Sequence, residues 1–340
     1  MVATRSVRWP ELVGLADRLQ QVAELLPGAD VETTRVALAD VGLSGAVLLA
    51  DDSTESSPAG AEALCAALVG FGERDQPEAA SLVRAEALAV TVATGAGSAV
   101  AAEELPTAFV VVPPAAVASA AGGQFLLGTG EGFGSPEGDG CLVVELTGDP
   151  VAFHLRGDEV SLEPGRIPGR LTGRVDTTNR HLKSLWEPAL APVRASLSRS
   201  LLWITGAAYR LGRTAALTAQ LRPALGVLPG GEAKARLADS VTRLDAAGLV
   251  LGQAARSWSA QDGAPTVCAS AAILAGEAAR ELLTSFLVGV PADSRAAAPE
   301  LLDPFVDNAS WVDPGGAGDE LRTALVDALL APAAAAGEGE

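Results

Sequence analysis

Between positions 234 and 255 the chain reads KARLADSVTRLDAAGLVLGQAA, with no proline and one persistent apolar rhythm. Leu237, Val241, Leu244, Gly248, Leu251, Ala255 and Trp258 are spaced alternately by four and three residues. An α-helix turns once per 3.6 residues, so this alternation stacks all seven positions into one narrow seam. Such a seam has to be buried, and helices of matching length lie on both sides. SLSRSLLWITGAAYRLGRTAALTAQ reads as one long helix ended by RPALGVLPGG. TVCASAAILAGEAARELLTSFLVGV follows the turn SAQDGAP, with Pro265 in its first turn, and presents Cys268, Ala271, Ala275, Ala279, Leu282 and Phe286 along one side. Small residues on these faces allow close axis approach, so the spacing predicts an antiparallel bundle from about residue 184 to 290 with Leu244, Leu251 and Trp258 buried. Trp203 and Trp258 fall at core spacing. Leu249, Val250 and Leu274 lie off the seam and are expected to need burial against another surface.

The segments before the bundle change character twice. Leu12, Leu15, Leu19, Val22 and Leu26 follow Pro10 at helical spacing, and LLPGAD ends that helix. A second helix is expected over about 32–42. A third has Ser57 as cap and Pro58 behind it, with Ala61, Leu64, Cys65, Leu68 and Phe71 on one side. From about residue 87, ALAVTVAT, TAFVVVP, QFLLG, CLVVEL, VAFHL, EVSL and RLTGRV are short β-branched and apolar runs parted by Gly, Pro and Asp, the pattern of a small β domain. The expected division is a helical domain over 1–87, a β domain over 88–178 and a helical bundle over 179–330. The last includes a looser part around Trp311 and a final helix in GDELRTALVDALLA. A disordered tail follows over 331–340. The fold class is α+β, mainly α.

Charge and composition exclude several functions. The chain has 340 residues, 42 acidic against 24 basic, for a net charge of −18. That field repels a phosphate backbone and argues against nucleic-acid binding. The mean hydropathy of +0.28 comes largely from alanine in helical patterns, and no run offers the ~18 continuous apolar residues of a membrane span. The N-terminus, MVATRSVRWPELVGL, has no apolar signal-peptide core, so a cytoplasmic location is expected. Cys65, Cys141 and Cys268 are far apart in apolar settings, which predicts buried free thiols rather than a disulfide framework or a metal site. With only His154 and His181, chemistry that needs a histidine cluster is excluded.

Helices, then a small β domain, then a long bundle carrying KARLAD and RLDAAGLV resemble the acyl-CoA dehydrogenase family. The corresponding stretch of that family reads along the lines of FGxPIxxFQxxKHxLADMxxxLEAAR. Residues 234–239 match its KHxLAD portion, and RLDAAGLV its LEAAR portion. The likeness covers about 190–290 closely and the rest in order of elements alone. It implies an acyl-CoA dehydrogenase-like fold: an N-terminal helical domain, a small central β domain and a C-terminal bundle. It also implies FAD as cofactor, an acyl-CoA or acyl-carrier thioester oxidised at Cα–Cβ, and a homo- or hetero-oligomer with another subunit of the same kind. In the family a glutamate removes the α-proton while hydride passes to the flavin.

This sequence departs from the family at the sites that carry the chemistry. Where an arginine is followed by QFG in the family, QLRPALG leaves only Arg222 as a flavin contact. Where Q-x-x-G-G-x-G follows the third bundle helix, LLTSFLVGVP has no glutamine and no paired glycines, and Val288 stands in the way of close backbone approach. The position nearest the catalytic glutamate is Asp313 in WVDPGG, shorter by a methylene, and the plainer reading of it is a turn aspartate before Pro314. With Pro223 and Val288 in place, the isolated chain is expected not to hold FAD tightly. FAD is expected only together with a partner subunit. The alternative is a chain that kept the fold, lost the flavin and acts as an interaction subunit or in a non-redox step on a bound acyl chain.

Two further stretches carry expectations. LLGTGEGFGSPEGDG looks like a phosphate cradle but lacks the third glycine of G-x-G-x-x-G and a following helix, and carries Glu131, Glu137 and Asp139. It is expected to be a mobile loop between strands. GRVDTTNRHLKSLWEP joins the β domain to the bundle and holds Arg174, Arg180, His181 and Lys183. The resemblance places this junction near the substrate cleft, where these cations can meet the phosphates of coenzyme A. Read without it, they face solvent or cap helix ends, with Thr177 or Thr178 capping a helix that begins near Asn179.

Overall fold

A computed structural model describes residues 14–26, 29–50, 60–94, 106–120, 123–138, 140–165, 167–177, 181–225, 231–260 and 264–289, together with Arg322 and Val326. Five helices come first: α1 (Leu15–Leu25), α2 (Val31–Asp40), α3 (Gly45–Ala50), α4 (Ala61–Glu73) and α5 (Pro77–Thr94). Seven strands follow: β1 (Ala108–Val111), β2 (Val117–Ala120), β3 (Gly123–Gly134), β4 (Gly140–Glu145), β5 (Val151–Arg156), β6 (Val160–Pro164) and β7 (Arg170–Asp176). Three long helices come next among the described residues: α6 (Ala191–Leu225), α7 (Gly231–Ala260) and α8 (Pro265–Gly289).

The bundle follows the seam. Leu244, Leu251, Ala255 and Trp258 are buried, and the Trp258 indole N–H donates to the Leu197 carbonyl of α6 at 3.0 Å. The α7–α8 pair is antiparallel. Arg243 is ion-paired with Glu281 near one end of the contact, and the Cys268 thiol meets the Ala254 carbonyl near the other. Small residues set the distances between axes. A Cβ on Gly212 of α6 would lie 2.0 Å from the Val69 carbonyl oxygen of α4, and one on Gly72 2.4 Å from the Tyr209 carbonyl oxygen. At that crossing the backbones touch.

The stretch ALAVTVAT, expected as the first strand, is instead the C-terminal half of α5. Residues 79–92 are buried on every side, between α3, α4, α6 and the sheet. A helix covered all round needs no polar face, so its sequence loses the 3.6-residue period that marks a helix and its β-branched residues imitate a strand. The sheet therefore starts at Ala108. The bundle start also shifts, because residues 181–190 form turns and a bridge to the sheet, and α6 begins at Ala191 with Pro192 in its first turn.

The sheet has strand order β5-β4-β1-β3-β7-β6, with β2 paired to the first part of β3. Neighbours are antiparallel except β1 and β4, which run parallel. Each face carries an apolar core. Ala108, Val110, Cys141, Val143, Phe153 and Leu155 form the core of the sheet itself, while Phe109, Phe133, Leu142, Val144 and Ala152 join the core built by the helices. Most of the glycine-rich stretch is no loop: Leu126–Gly134 belong to the central strand β3, twelve residues long, and the chain turns only beyond it, from Ser135. A Cβ on Gly130 would meet the Val111 carbonyl oxygen at 2.5 Å, and one on Gly132 the Phe109 carbonyl oxygen at 2.1 Å. These glycines let β1 press onto β3.

Candidate functional site

The face of the sheet turned toward the helices carries a buried polar joint. Ser81 and Arg84 of α5 sit over it. The Ser81 hydroxyl accepts the Gly134 amide at 2.6 Å and donates to the Gly169 carbonyl. Arg84 is fully buried: its guanidinium lies 3.8 Å from the Phe133 ring centroid and donates to the Thr205 hydroxyl and the Leu202 carbonyl of α6 at 3.2 and 3.1 Å. Arg170 of β7 approaches the same ring at 4.8 Å. One side chain thus binds α5 to both the sheet and the bundle. A buried cation held by a π-face and two oxygens is anchored within the chain, so this joint orients the parts rather than reacting.

Beyond Phe133 the same face is open. Side chains directly opposite in an antiparallel ladder share a face, and alternate residues along a strand return to it. Leu127, Thr129 and Glu131 of β3 therefore lie beside Asp176, Arg174 and Thr172 of β7, with Ser161 and Glu163 of β6 next in line. All but Thr172 are exposed, and Leu127 keeps 49 % of its surface in solvent. Three carboxylates against one guanidinium give this platform a negative balance.

The junction segment stitches the platform's neighbours together through its backbone. The Leu182 amide donates to the Gln124 carbonyl at 2.7 Å and the Leu185 amide to the Ala152 carbonyl at 2.8 Å. The Trp186 indole and the Arg194 guanidinium both donate to the Val92 carbonyl near the end of α5, at 2.8 and 3.2 Å. His181 lies against Gly123, with its own side chain and that of Lys183 exposed. Arg174 sits opposite Thr129, six residues along β3 from Gly123, roughly 20 Å at strand rise. The structure does not gather Arg174 with His181 and Lys183. Arg180, the Arg222 side chain and Asp313 lie outside the described residues, as do the side chains of Pro223 and Val288 and the cap at Ser57. Thr177 caps no helix. Buried at the end of β7, it accepts the Leu126 amide at 2.6 Å and donates to the Leu126 carbonyl at 2.9 Å, locking β7 to β3.

The glycine-rich strand and the platform beside it do not fit the pyrophosphate of FAD. The backbone of the glycine-rich strand is taken up by β1, β2 and β7, its glycines face neighbouring strands, and the open platform beside it carries Glu131, Glu163 and Asp176 where a pyrophosphate would need donors. All three cysteines are buried and outside any disulfide, with burial pushing Cys141 and Cys268 up to about 12 and Cys65 higher still, which disfavours the reactive thiolate in each. No group of three or more metal-ligating side chains occurs among the described residues, and no described helix is long and apolar enough to cross a membrane.

The residue reading missed Ser81, Arg84 and Arg170. The one trace of them in the sequence is a pair of charges, Arg84 and Glu86, inside an otherwise apolar window.

The described helices and sheet have the fold of acyl-CoA dehydrogenase-like proteins. The ChsE4-ChsE5 complex from Mycobacterium tuberculosis is similar over 98 % of this chain and 100 % of that one, with TM-score 0.63 and 17 % identity. An FAD-dependent dehydrogenase covers 93 % and 97 % at TM-score 0.68 and 14 % identity, and a glutaryl-coenzyme A dehydrogenase in its glutaryl-CoA complex 97 % and 97 % at 0.66 and 13 %. No family model and no curated protein sequence matches the chain.

Proposed function

We propose that the chain is a subunit of an acyl-CoA dehydrogenase-like oligomer acting on an acyl thioester, with flavin held only in combination with a partner chain. The observation that carries this is a whole-length match to that fold in a chain whose described residues form no phosphate cradle. The solved neighbours include a two-component complex and an FAD-dependent enzyme, which supports an assembly in which a second chain supplies what this one lacks. In this reading Arg222 is the chain's own flavin contact, and Arg180, His181 and Lys183 meet the phosphates of the acyl carrier. Arg174 serves the same carrier from the sheet, and Asp313 is the candidate base. The chain works in the cytoplasm.

The second reading, a fold that has lost flavin and serves as an interaction subunit, is favoured by the negative platform around Glu131. Absorbance separates the two. On the first reading the chain purified alone is colourless, and the chain co-expressed with a neighbouring acyl-CoA dehydrogenase-like subunit is yellow with a flavin band near 450 nm. A stoichiometric flavin on the isolated chain sinks the partner requirement, and a colourless complex sinks the flavin.

A further inference from the structure

Helix α3 has no titratable residue of its own, yet it is docked through one. Glu86 of α5 is 1 % exposed, and its Oε2 accepts the Gly45 amide at the start of α3 at 2.9 Å. Its Oε1 has no hydrogen-bond partner among the described residues. Neither group has room to move. A Cβ on Gly45 would stand 2.1 Å from the Val83 carbonyl oxygen and 2.6 Å from the Ala87 amide nitrogen, so α3 already lies against the α5 backbone. Leu43, Ala46 and Leu48 are buried in the helical core around this contact.

The nearby basic residues have other partners, and Arg35 also acts on Glu86 through its charge. Arg35 of α2 is ion-paired with Glu32 at 3.0 Å. Arg18 of α1 donates to the Val41 and Gly42 carbonyls at 3.4 Å. Arg84, two residues earlier on α5, bonds to α6, and Glu62 of α4 is paired with Arg256 at 2.7 Å. Burial lifts the Glu86 carboxyl to about 7, offset only in part by the Gly45 amide and by Arg35.

We propose that Glu86 is a proton-operated latch: neutral, it keeps α3 seated on α5; ionised, it opens the seat so that water can reach the carboxylate. The alternative to opening is a carboxylate with one unsatisfied oxygen in a site that excludes water, and such a group is expensive to keep. The proton leaves to solvent, and α3 is the smallest element whose departure exposes Glu86. Local opening of a six-residue helix costs far less than global unfolding, so the response belongs to this layer alone.

Hydrogen exchange on the full chain tests this at pH 5, 6, 7 and 8, with rates normalised for intrinsic chemistry. The amides to follow are those of Gly45, Val47 and Leu48, which are bonded to Glu86 and Ser44. A carboxyl that titrates near 4.5 when open and near 7 when closed makes protection fall about tenfold per pH unit between those values and level off above. Amides within α8 should show no such slope, and Glu86→Gln should flatten the α3 profile. A flat wild-type profile, or an unchanged slope in Glu86→Gln, overturns the latch. Should that variant not fold, the carbon-13 shift of the wild-type Glu86 carboxyl decides: a midpoint near 7 supports the latch and one near 4.5 overturns it.

Discussion

Arg84 shows how much one side chain decides here. It is fully buried, touches an aromatic face, and satisfies oxygens on a helix remote in sequence. Truncating it leaves a cavity and strands the Thr205 hydroxyl and the Phe133 face without their donor. Arg84→Ala should therefore cost roughly 3–5 kcal/mol in urea unfolding, well above an ordinary surface change. Arg84→Lys keeps the charge and loses the planar fork, so it should fall between the two. A loss below about 1 kcal/mol for the alanine variant would show that the joint is not structural. Asp75 is a second local case. Its φ of 56° lies in the left-handed region, where aspartate is tolerated, and its carboxylate is ion-paired to Arg213 at 3.0 Å. That pair fastens the α4–α5 turn to α6.

Among the elements, the α4–α6 crossing makes the sharpest demand on side-chain size. Gly212→Ala puts a methyl group 2.0 Å from the Val69 carbonyl oxygen, backbone that cannot swing away. The helices have to part, at a cost of roughly 1–3 kcal/mol. Gly231→Ala at the start of α7 meets nothing within 4 Å, so it should be neutral or slightly stabilising and serves as the control. Thermal unfolding of the two variants side by side reads this directly. On the seam, Leu244→Ala should cost roughly 2–5 kcal/mol, because Leu244 is buried against the bundle core. The seam was legible because only one side of α7 is covered. Helix α5 was not, because it is covered on all sides, and β3 was misread because its glycines look like a loop until a second strand is laid 2 Å from where their side chains would be.

For the whole molecule, the outer side of the α7–α8 pair is where assembly should act. Arg243 with Glu281 and Ala254 with Cys268 fix the antiparallel register, and midway between them Leu249 and Leu274 stand level. They are 69 % and 41 % exposed. Val250, expected beside them, is instead partly buried on the chain's own core. Light scattering at micromolar concentration should find a dimer or larger species, alone or with a co-expressed partner subunit. Leu249→Asp should weaken that association while leaving the melting temperature of the separated chain within a degree or two. A strictly monomeric chain with every partner tried would show that the two leucines serve no interface.

By itself the sequence determined what depends on spacing along one element. It set the long amphipathic helices of the bundle, the apolar strands β1, β4, β5, β6 and β7, the buried fate of the cysteines, and a likeness strong enough to indicate the architecture. These follow from local periodicity, which each segment carries whatever it packs against. Only the tertiary structure decided which charged residues are buried, since Arg84 and Glu86 owe their burial to α3, α6 and the sheet arriving from far along the chain. It also separated Arg174 from His181 and Lys183. Four neighbouring basic residues in sequence look like one cluster, but a strand carries its residues away at about 3.4 Å each, so Arg174 on β7 ends up far from the segment at Leu182 that bonds to Gln124.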